Sequence, residues 1–544
     1  MVVLATLLFT QASAEERTFE YHEVAATVMI NALKAQPEKS FVKKLYTQLL
    51  FVPVWINEEA PSPAANALFS HVKSDPTLDK EGRLYQELLS LEEQLQSMYR
   101  EHGKLTQKID LEFKISQFYK EYTDYAYFGS INWGAFQARI SNLIVNGVST
   151  EWILHRPEAD AIGMLEKALF GSDLEVELEK ATPKKYHFRQ LQKKVAEYRE
   201  IKANGGWETV LLNKTLKPGD SADGVPSLRQ RLIVTKDYLH CEESSDEMLY
   251  DTCLQKAVKY FQKRNGLAID GEVGPKTLAV LNKSVDERIQ ILLLNLDRIK
   301  WLNDPKSKRH IIINIPDFML YFEQDGELIQ TFRTIVGTPK NPTPIFSNSV
   351  KTIVLNPQWN VPKSIIQKEY IPQILRNPNI LRKDKIEVYS GWGRDAVKLD
   401  PASINWAAYR YSKTVPYRLA QTAGTHNALG KVKFLFPNKF SVYMHDTPTK
   451  HLFAKDKRAF SHGCIRLQKP RELLETFSTF EENIDFEKSQ KILEGTRKKY
   501  LPLDEQVPID VIYLTAWVDY EGELQFRNDI YGYDKMKLKS FKTW

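Results

Sequence analysis

One cysteine of this chain, Cys464, lies in the tight-turn sequence Ser461-His-Gly-Cys-Ile-Arg-Leu467, and His445 lies upstream of it. A free thiol has a pKa of about 8.5, so it is mostly protonated at neutral pH and needs a neighbouring imidazole to act as a nucleophile. Gly463 permits a sharp turn that would direct the amides of Gly463 and Cys464 at a developing oxyanion. The pattern predicts covalent catalysis by Cys464, with His445 as the base.

The flanking residues predict the elements that position this pair. Phe440 to Met444 is rich in aromatic and β-branched residues, which is typical of a strand ending at His445. Pro470, followed by Leu473 and Leu474, predicts the start of a helix. We therefore expect Cys464 on a loop between a strand and a helix.

Two other chemistries could use the same residue types. A zinc ion could be bound by His445, His462 and Cys464, but a metal-bound thiolate is a poor nucleophile and no repeated ligand pair is present. Papain-like and NlpC-type peptidases place the cysteine before the histidine in the chain, whereas here the histidine comes first. The sequence therefore predicts neither a metal site nor a cysteine peptidase.

The segments His445-Asp-Thr-Pro448 and Ser461 to Leu467 resemble the active-site signature of the L,D-transpeptidases, the YkuD-type family. The resemblance extends to residues 309–346, to Asn356-Pro-Gln-Trp-Asn-Val-Pro362 and to Asn427-Ala-Leu-Gly430, which are similar to the large periplasmic members of Gram-negative bacteria. It implies that Cys464 forms a thioester with a peptidoglycan tetrapeptide stem and passes it to an amine, giving a 3→3 cross-link without any cofactor. It also implies acylation by carbapenems.

Five residues near the Cys464–His445 pair are candidates for substrate binding: Trp359, Tyr443, Ser461, His462 and Arg466. The Arg466 guanidinium suits a carboxylate, although a structural ion pair would explain it equally well. His462 is interpreted as a turn residue or a substrate donor, and Ser461 and Tyr443 as supports of the loop. Asp446 follows His445, and either its side chain or its backbone carbonyl could orient the imidazole.

Length and composition suit a protein of several domains. The 544 residues include 42% hydrophobic residues, enough for several cores, and carry a formal net charge of only +6. The basic clusters are short, so we expect no nucleic-acid partner. The expected partners are peptidoglycan stem peptides and glycan, together with other cell-wall enzymes.

Residues 1–14 have the pattern of a signal peptide, because the apolar run from Val2 to Phe9 precedes Ala12-Ser13-Ala14. No Lys or Arg precedes that run, which leaves an uncleaved anchor or a start further upstream as alternatives. No cysteine follows the cut site, so a lipoprotein is not expected. The prediction is a periplasmic protein.

The chain has three cysteines, and in an exported protein Cys241 and Cys253 could form a disulfide around a short polar loop. This pairing would leave Cys464 free, as a nucleophile requires. The alternative is that all three thiols are reduced.

The predicted fold is multidomain α+β. Residues 15–206 show helical apolar repeats and are interpreted as a scaffold domain, and residues 286–308 as a linking helix. Residues 215–285 resemble a three-helix peptidoglycan-binding module, with Leu254, Ala257, Val258 and Phe261 as the core stripe of its middle helix.

Residues 309–535 resemble the mainly β catalytic domain, and Asp325-Gly326 predicts a hairpin within it. An insertion at 363–428 is predicted to be a capping subdomain that closes over the donor. The alternative for its aromatic residues is a small core of their own.

Three alternative functions stay open at this stage. The acyl group could be passed to water, as in an L,D-carboxypeptidase, or to a protein that becomes attached to peptidoglycan. The chain could also be a non-catalytic cell-wall adaptor that binds through the small helical module, although Cys464 and His445 argue against this.

Overall fold

A computed structural model of the chain describes residues 21–148, 150–171, 173–238, 246–304, 306–393, 395–412 and 414–539. The predicted signal peptide at 1–14 and Cys241 of the predicted disulfide lie outside these residues, so both stay predictions. No helix in the described ranges is long and apolar enough to cross a membrane.

The N-terminal part is helical, as predicted. Its core surrounds one long central helix, where the buried carboxylate of Glu112 accepts hydrogen bonds from the Tyr46 hydroxyl at 2.6 Å and from the Trp55 amide at 3.1 Å. Residues 21–33 are also helical. The further helices are α1 (Phe41–Gln48), α2 (Pro63–Ser74), α3 (Arg83–Arg100), α4 (Leu105–Phe128), α5 (Trp133–Val145), α6 (Ala161–Phe170), α7 (Leu174–Glu179) and α8 (Phe188–Ala203).

The helical region does not pack as one separate domain. Trp133 and Phe136 of α5 lie in the same hydrophobic core as the catalytic sheet, and Trp152 forms a β-bridge with Ile345. Helix α8 contributes to a third core instead. The predicted domain at 15–206 is thus divided among three cores, because aromatic side chains on its helices bury their surface against the β-rich domain.

The small module has the predicted middle helix, in which Leu254, Ala257, Val258 and Phe261 are all buried. Asn265 ends this helix, and Gly266 follows in the left-handed region with φ of 63°. The helices here are α9 (Val225–Val234), α10 (Thr252–Arg264), α11 (Pro275–Leu281) and the linking helix α12 (Val285–Lys300).

The C-terminal part is mainly β, as predicted. Asp325 and Gly326 both have positive φ and form the predicted hairpin turn. The strands are β1 (Arg309–Asn314), β2 (Met319–Gln324), β3 (Glu327–Gly337), β4 (Phe346–Leu355), β5 (Trp359–Asn360), β6 (Ile386–Tyr389), β7 (Lys398–Leu399), β8 (Arg418–Gln421), β9 (Val432–Leu435), β10 (Met444–His445), β11 (Ala459–Ser461), β12 (Ile465–Leu467), β13 (Lys499–Ile512), β14 (Ala516–Val518) and β15 (Leu524–Phe526).

The largest sheet within the described residues closes on itself. Its order is β11-β3-β12-β10-β9-β4-β13-β1-β2, and β2 pairs again with β3. The closed, barrel-like sheet encloses the main hydrophobic core. Strands β9, β10 and β12 are consecutive neighbours in this order. Side chains that project to the same side of these three strands therefore lie on one face of the sheet.

The insertion has a hydrophobic core of its own. Trp406 is buried in it, with Tyr409 and Tyr417 packed against it, whereas the side chains of Trp392 and Tyr411 are exposed. Strands β5, β8, β6 and β7 form its sheet, in that order. Its helices are α13 (Lys363–Ile365), a π-helical turn (Ile366–Tyr370), α14 (Ile371–Arg376) and α15 (Ile380–Lys383). We call residues 361–419 the cap.

Three helices follow the site in the chain. Helix α16 begins at Pro470, as predicted, but β12 intervenes between Cys464 and this helix. The predicted strand-to-helix loop is therefore wrong, because Cys464 lies between two strands, β11 and β12. The three helices are α16 (Pro470–Ser478), α17 (Phe486–Glu494) and α18 (Tyr533–Leu538).

A buried ion pair ties the linking helix to the C-terminal helix. The Arg298 guanidinium of α12 lies 2.6 Å from the Asp534 carboxylate of α18, and the Arg298 side chain is fully buried. We expect Arg298→Met to destabilise the protein by about 3–5 kcal/mol, because the buried Asp534 carboxylate loses its counter-charge. Urea denaturation followed by tryptophan fluorescence measures this loss.

Arg309→Met is the matched control, since the Arg309–Glu505 ion pair is partly exposed and is expected to contribute about 1 kcal/mol or less. Replacing both partners, as Arg298→Met with Asp534→Leu, should recover most of the lost stability. Equal losses in the single and double variants would contradict the ion-pair explanation.

Candidate active site

The pairing of three short strands places the predicted catalytic residues on one face of the sheet. Strand β10 pairs in parallel with β12, with Met444 opposite Ile465, and antiparallel with β9, with Met444 opposite Phe434. These three residues are fully buried in the main core. Because side chains alternate along a strand, the residues beside them project to the opposite side. We call this set the catalytic face: Lys433, Tyr443, His445, Cys464 and Arg466.

Within the catalytic face, His445 lies opposite Arg466 on β12 and opposite Lys433 on β9. Cys464 immediately precedes Ile465, so it is a diagonal neighbour of His445 on the adjacent strand. The predicted strand at Phe440 to Met444 is shorter than expected, since only Met444–His445 pairs as a strand. Ser441 has φ of 57°, so its backbone cannot continue the strand.

The His445 imidazole is oriented by a backbone carbonyl. Its Nδ1 lies 2.5 Å from the carbonyl oxygen of Asp446, which can only accept, so Nδ1 carries the proton and Nε2 keeps its lone pair. Burial lowers the pKa of His445 to about 3, and the Arg466 cation contributes in the same direction. The ring is therefore neutral at physiological pH and suited to accept a proton.

The Asp446 side chain has a different role. Its carboxylate accepts a hydrogen bond from the Thr447 amide at 2.7 Å and from the Lys431 amide at 2.9 Å, and it pairs with Lys450 at 2.5 Å. A Cβ on Gly430 would lie 2.3 Å from this carboxyl group, so the close approach needs glycine. The side chain thus holds the turn whose carbonyl orients His445.

The loop before Cys464 is held by two hydroxyl groups. Ser461 is buried, and its Oγ donates to the Cys464 carbonyl at 2.5 Å and accepts from the Gly463 amide at 3.1 Å. Thr343 Oγ1 donates to the Gly463 carbonyl at 2.9 Å. Gly463 has φ of 112°, which L-residues rarely adopt.

This geometry corrects one prediction about the oxyanion site. The Gly463 amide does not point at a substrate carbonyl, because it is already bonded to Ser461 Oγ. In the described residues no hydrogen bond involves the Cys464 amide, so that amide is the better candidate to stabilise an oxyanion.

The Cys464 thiol is free and partly exposed. Its Sγ lies 3.9 Å from the Ser441 carbonyl, and the Tyr443 phenol, which neighbours Trp359, interacts with it. Burial raises the pKa of the thiol, whereas Tyr443, Lys433 and Arg466 oppose this shift. With His445 neutral and the thiol protonated, the geometry favours proton transfer during attack over a preformed ion pair.

Two cations lie on the catalytic face without an acidic partner among the described residues. Lys433 Nζ lies 3.5 Å from the centre of the Tyr443 ring, and burial lowers the pKa of Lys433 to about 8. Arg466 donates to Thr449 Oγ1 at 3.1 Å, while its buried Nε has no hydrogen-bond partner. The ion-pair explanation of Arg466 thus finds no support in the described part of the chain.

The His462 side chain contacts the cap. Its Nε2 lies 2.6 Å from Glu369 Oε1, a contact that the sequence did not predict, and its backbone lies in the bend before Gly463. In the described ranges no group of three or more His, Cys, Asp or Glu side chains could hold a metal ion.

Sequence reasoning missed Lys433 and Glu369. Lys433 stands between two apolar residues, which signals a strand, but its place beside His445 depends on the strand register. Glu369 is separated from the site by about ninety residues of sequence and shows no local signal.

Comparison with known families agrees with this geometry. The family model of the L,D-transpeptidase catalytic domain, YkuD, matches residues 308–497, which include the whole catalytic face. The chain contains an L,D-transpeptidase catalytic domain. Two further models match outside this domain: one described as "Scaffold domain" at residues 40–195 and one described as "Putative peptidoglycan binding domain" at residues 221–281.

A curated relative of this chain comes from Haemophilus influenzae and is named "Putative L,D-transpeptidase". It is 33% identical over 248 residues, which is 45% of this chain and 48% of that protein. The chain therefore spans about half the length of the curated relative it matches.

Solved structures with some likeness include an L,D-transpeptidase from Stackebrandtia nassauensis, at 15% identity and TM-score 0.23 over 55% of this chain and 94% of that one. Another is an L,D-transpeptidase from Mycobacterium smegmatis, at 14% identity and TM-score 0.18 over 38% of this chain and 59% of that one. At TM-scores this low, neither likeness bears on the fold or activity of this chain.

The lowered pKa of His445 predicts how acylation depends on pH. A base with a pKa of about 3 is unprotonated at every pH above that value, so lowering the pH from about 7 to about 5 should not remove it. We expect the maximal rate of Cys464 acylation by a β-lactam to be flat over this range, as measured by intact-protein mass spectrometry.

His445→Ala should lower the same rate by roughly 10²–10⁴-fold, because the general base is lost. A decline towards acid with an apparent pKa near about 6.5, the ordinary value for histidine, would contradict the neutral-base assignment.

Proposed function

We propose that this protein is an L,D-transpeptidase that forms 3→3 cross-links between peptidoglycan stem peptides. The supporting observation is the pairing of β10 with β12, which puts Cys464 beside a neutral His445 whose Nδ1 is held by the Asp446 carbonyl. A cysteine acyltransferase needs this combination of thiol and oriented base.

The first step acylates the thiol. His445 Nε2 takes the Cys464 proton as Sγ attacks the carbonyl on the L-centre of the third stem residue, which we take to be diaminopimelate. The carbon–nitrogen bond to the terminal D-alanine breaks, and His445 returns the proton to the leaving amine. The products are a thioester on Cys464 and free D-alanine.

The second step transfers the acyl group to an amine. The side-chain amine of a second stem attacks the thioester, a new amide bond forms, and the proton released by the amine returns to Cys464. The energy of the broken peptide bond is kept in the thioester, so the reaction needs no nucleotide. Water competes with the amine, so a closed cap over the site favours transfer.

Lys433 and Arg466 fit the recognition of a donor carboxylate. Both cations lie on the catalytic face, and each interacts with Cys464 electrostatically. A stem peptide carries carboxylates next to the bond that breaks. A cation whose charge is unpaired in the free protein gains a partner when such a donor binds.

The Tyr443 phenol interacts with the Cys464 thiol and with Trp359, and these two aromatic residues suit an apolar wall for the stem peptide. Residues 221–281 would hold the glycan near the site, which suits a protein exported to the periplasm by the signal segment at 1–14. Transfer to water or to a protein acceptor uses the same thioester, so the acceptor must be determined from the products.

Replacement of the nucleophile tests the proposed reaction. Purified protein incubated with tetrapeptide muropeptides should produce dimers joined through two third-position residues, detected by mass spectrometry. Cys464→Ala should abolish them, because no other free cysteine occurs among the described residues. Tripeptides without dimers would indicate hydrolysis, and product formation by Cys464→Ala would refute the thioester mechanism.

Replacement of Lys433 tests the carboxylate site. We expect Lys433→Gln to raise KM for the tetrapeptide about ten- to hundredfold, since one charge-assisted hydrogen bond contributes roughly 1.5–3 kcal/mol. A donor amidated at its terminal carboxylate should show a smaller change. Lys351→Gln on β4, where the side chain is exposed, is the matched control.

The pKa of Lys433 also predicts an alkaline effect. Because its pKa is about 8, the side chain loses its charge as the pH rises through that value. KM of the wild-type protein should therefore rise between about pH 7 and about pH 9, and this rise should disappear in Lys433→Gln. The same rise in both proteins would count against carboxylate binding by Lys433.

A further inference from the structure

The cap joins the catalytic domain through two chain segments, at residues 356–360 and 420–430. Two buried asparagines anchor these segments: Asn356 Nδ2 donates to the Ile492 carbonyl at 2.6 Å, and Asn427 Nδ2 donates to the Pro357 and Thr422 carbonyls at 3.2 and 2.8 Å. The cap core is separate from the main core. The structure thus contains a compact lobe on two anchored connections.

One polar contact joins the cap to the loop that carries Cys464. His462 Nε2 lies 2.6 Å from Glu369 Oε1, and the two side chains are 46% and 41% exposed. Among the described residues, it is the one hydrogen bond or ion pair that joins residues 363–417 to the catalytic domain beyond the two connecting segments. This pair therefore links the cap directly to the loop that carries Cys464.

The cap presents Glu369 on an unusual element. Residues Ile366–Tyr370 form a π-helical turn between α13 and α14. Such turns are rare in proteins, and those that occur are often found at functional sites. Ile366 and Tyr370 of this turn are buried in the cap core. Because the inward side of the turn is packed, Glu369 is held on the side that faces the catalytic loop.

The backbone on both sides of His462 is held by hydrogen bonds. His462 lies between Ser461 and Gly463, and these two residues are held by the Ser461 and Thr343 hydroxyl groups described above. Ser461 also accepts a hydrogen bond from the Thr338 amide at 3.0 Å through its carbonyl. The contact of His462 with the cap is thus made two residues before Cys464, on a backbone that is held by hydrogen bonds.

We propose that Glu369 is a positioning residue that holds the cap against the catalytic loop through His462 and so keeps water from the Cys464 thioester. The inference rests on the proposed transpeptidase function, in which an amine and water compete for the same thioester. Glu369 touches neither the substrate nor the thiol. Its effect reaches the reaction through the position of the cap.

Glu369→Gln tests this role with two measurements. Hydrogen exchange should become faster in residues 363–376 and in the catalytic loop at 459–465, because the cap opens more often. The ratio of tripeptide to cross-linked dimer should rise about two- to five-fold, the range expected from weakening a partly exposed polar contact of a carboxylate. The total rate of Cys464 acylation should change less than this ratio.

Lys368→Gln is the matched control. Lys368 is exposed on the same π turn, so this variant also changes one charge but leaves the Glu369–His462 pair intact. Its exchange pattern and product ratio should equal those of the wild-type protein. The charge exchange Glu369→Lys with His462→Glu should restore slow exchange in residues 363–376, whereas Glu369→Lys alone should not.

An active wild-type protein whose product ratio is the same in Glu369→Gln would overturn the inference, as would unchanged hydrogen exchange in that variant. Absence of any dimer or tripeptide from the wild-type protein is a different result, because it refutes the proposed function. In that case hydrogen exchange alone still shows whether Glu369 holds the cap.

Discussion

The parallel pairing of β10 with β12 is the constraint on which the site depends. Each strand is only two or three residues long, and the register is set by burial of Met444 and Ile465 in one core. A shift of one residue would turn His445 and Cys464 towards that core and expose the apolar residues. The free energy of burying two apolar side chains thus aligns the proposed nucleophile with its proposed base.

The electrostatics of the site follow from where its charges are placed. Lys433 and Arg466 lie beside a buried imidazole, and both disfavour a second positive charge, so the pKa of His445 falls and the ring stays neutral. The same two cations favour the thiolate once the proton has left Cys464. The arrangement therefore suits a neutral His445 that accepts the thiol proton while Cys464 attacks. The two cations also suit an anionic substrate.

The remaining architecture restricts how the site can be approached. The small module is held against the β-rich domain by a Tyr260–Glu523 hydrogen bond and by Arg527, which donates to the Arg264 carbonyl at 3.1 Å. The linking helix α12 is tied to the C-terminal helix by buried ion pairing, and helix α5 shares the catalytic core. A polymer bound by the module would thus meet the catalytic domain at a defined orientation.

The sequence by itself determined the local features: the helical N-terminal part, the core stripe of the small module, the Asp325-Gly326 hairpin and the Cys464–His445 pair. Each depends on propensities or patterns that act over a few residues. Only the tertiary structure decided that a carbonyl orients His445 and that the Gly463 amide is occupied by Ser461. It also decided that Lys433 lies opposite His445 and that Glu369 contacts His462. These contacts depend on strand register and on packing between distant segments, which no local pattern encodes.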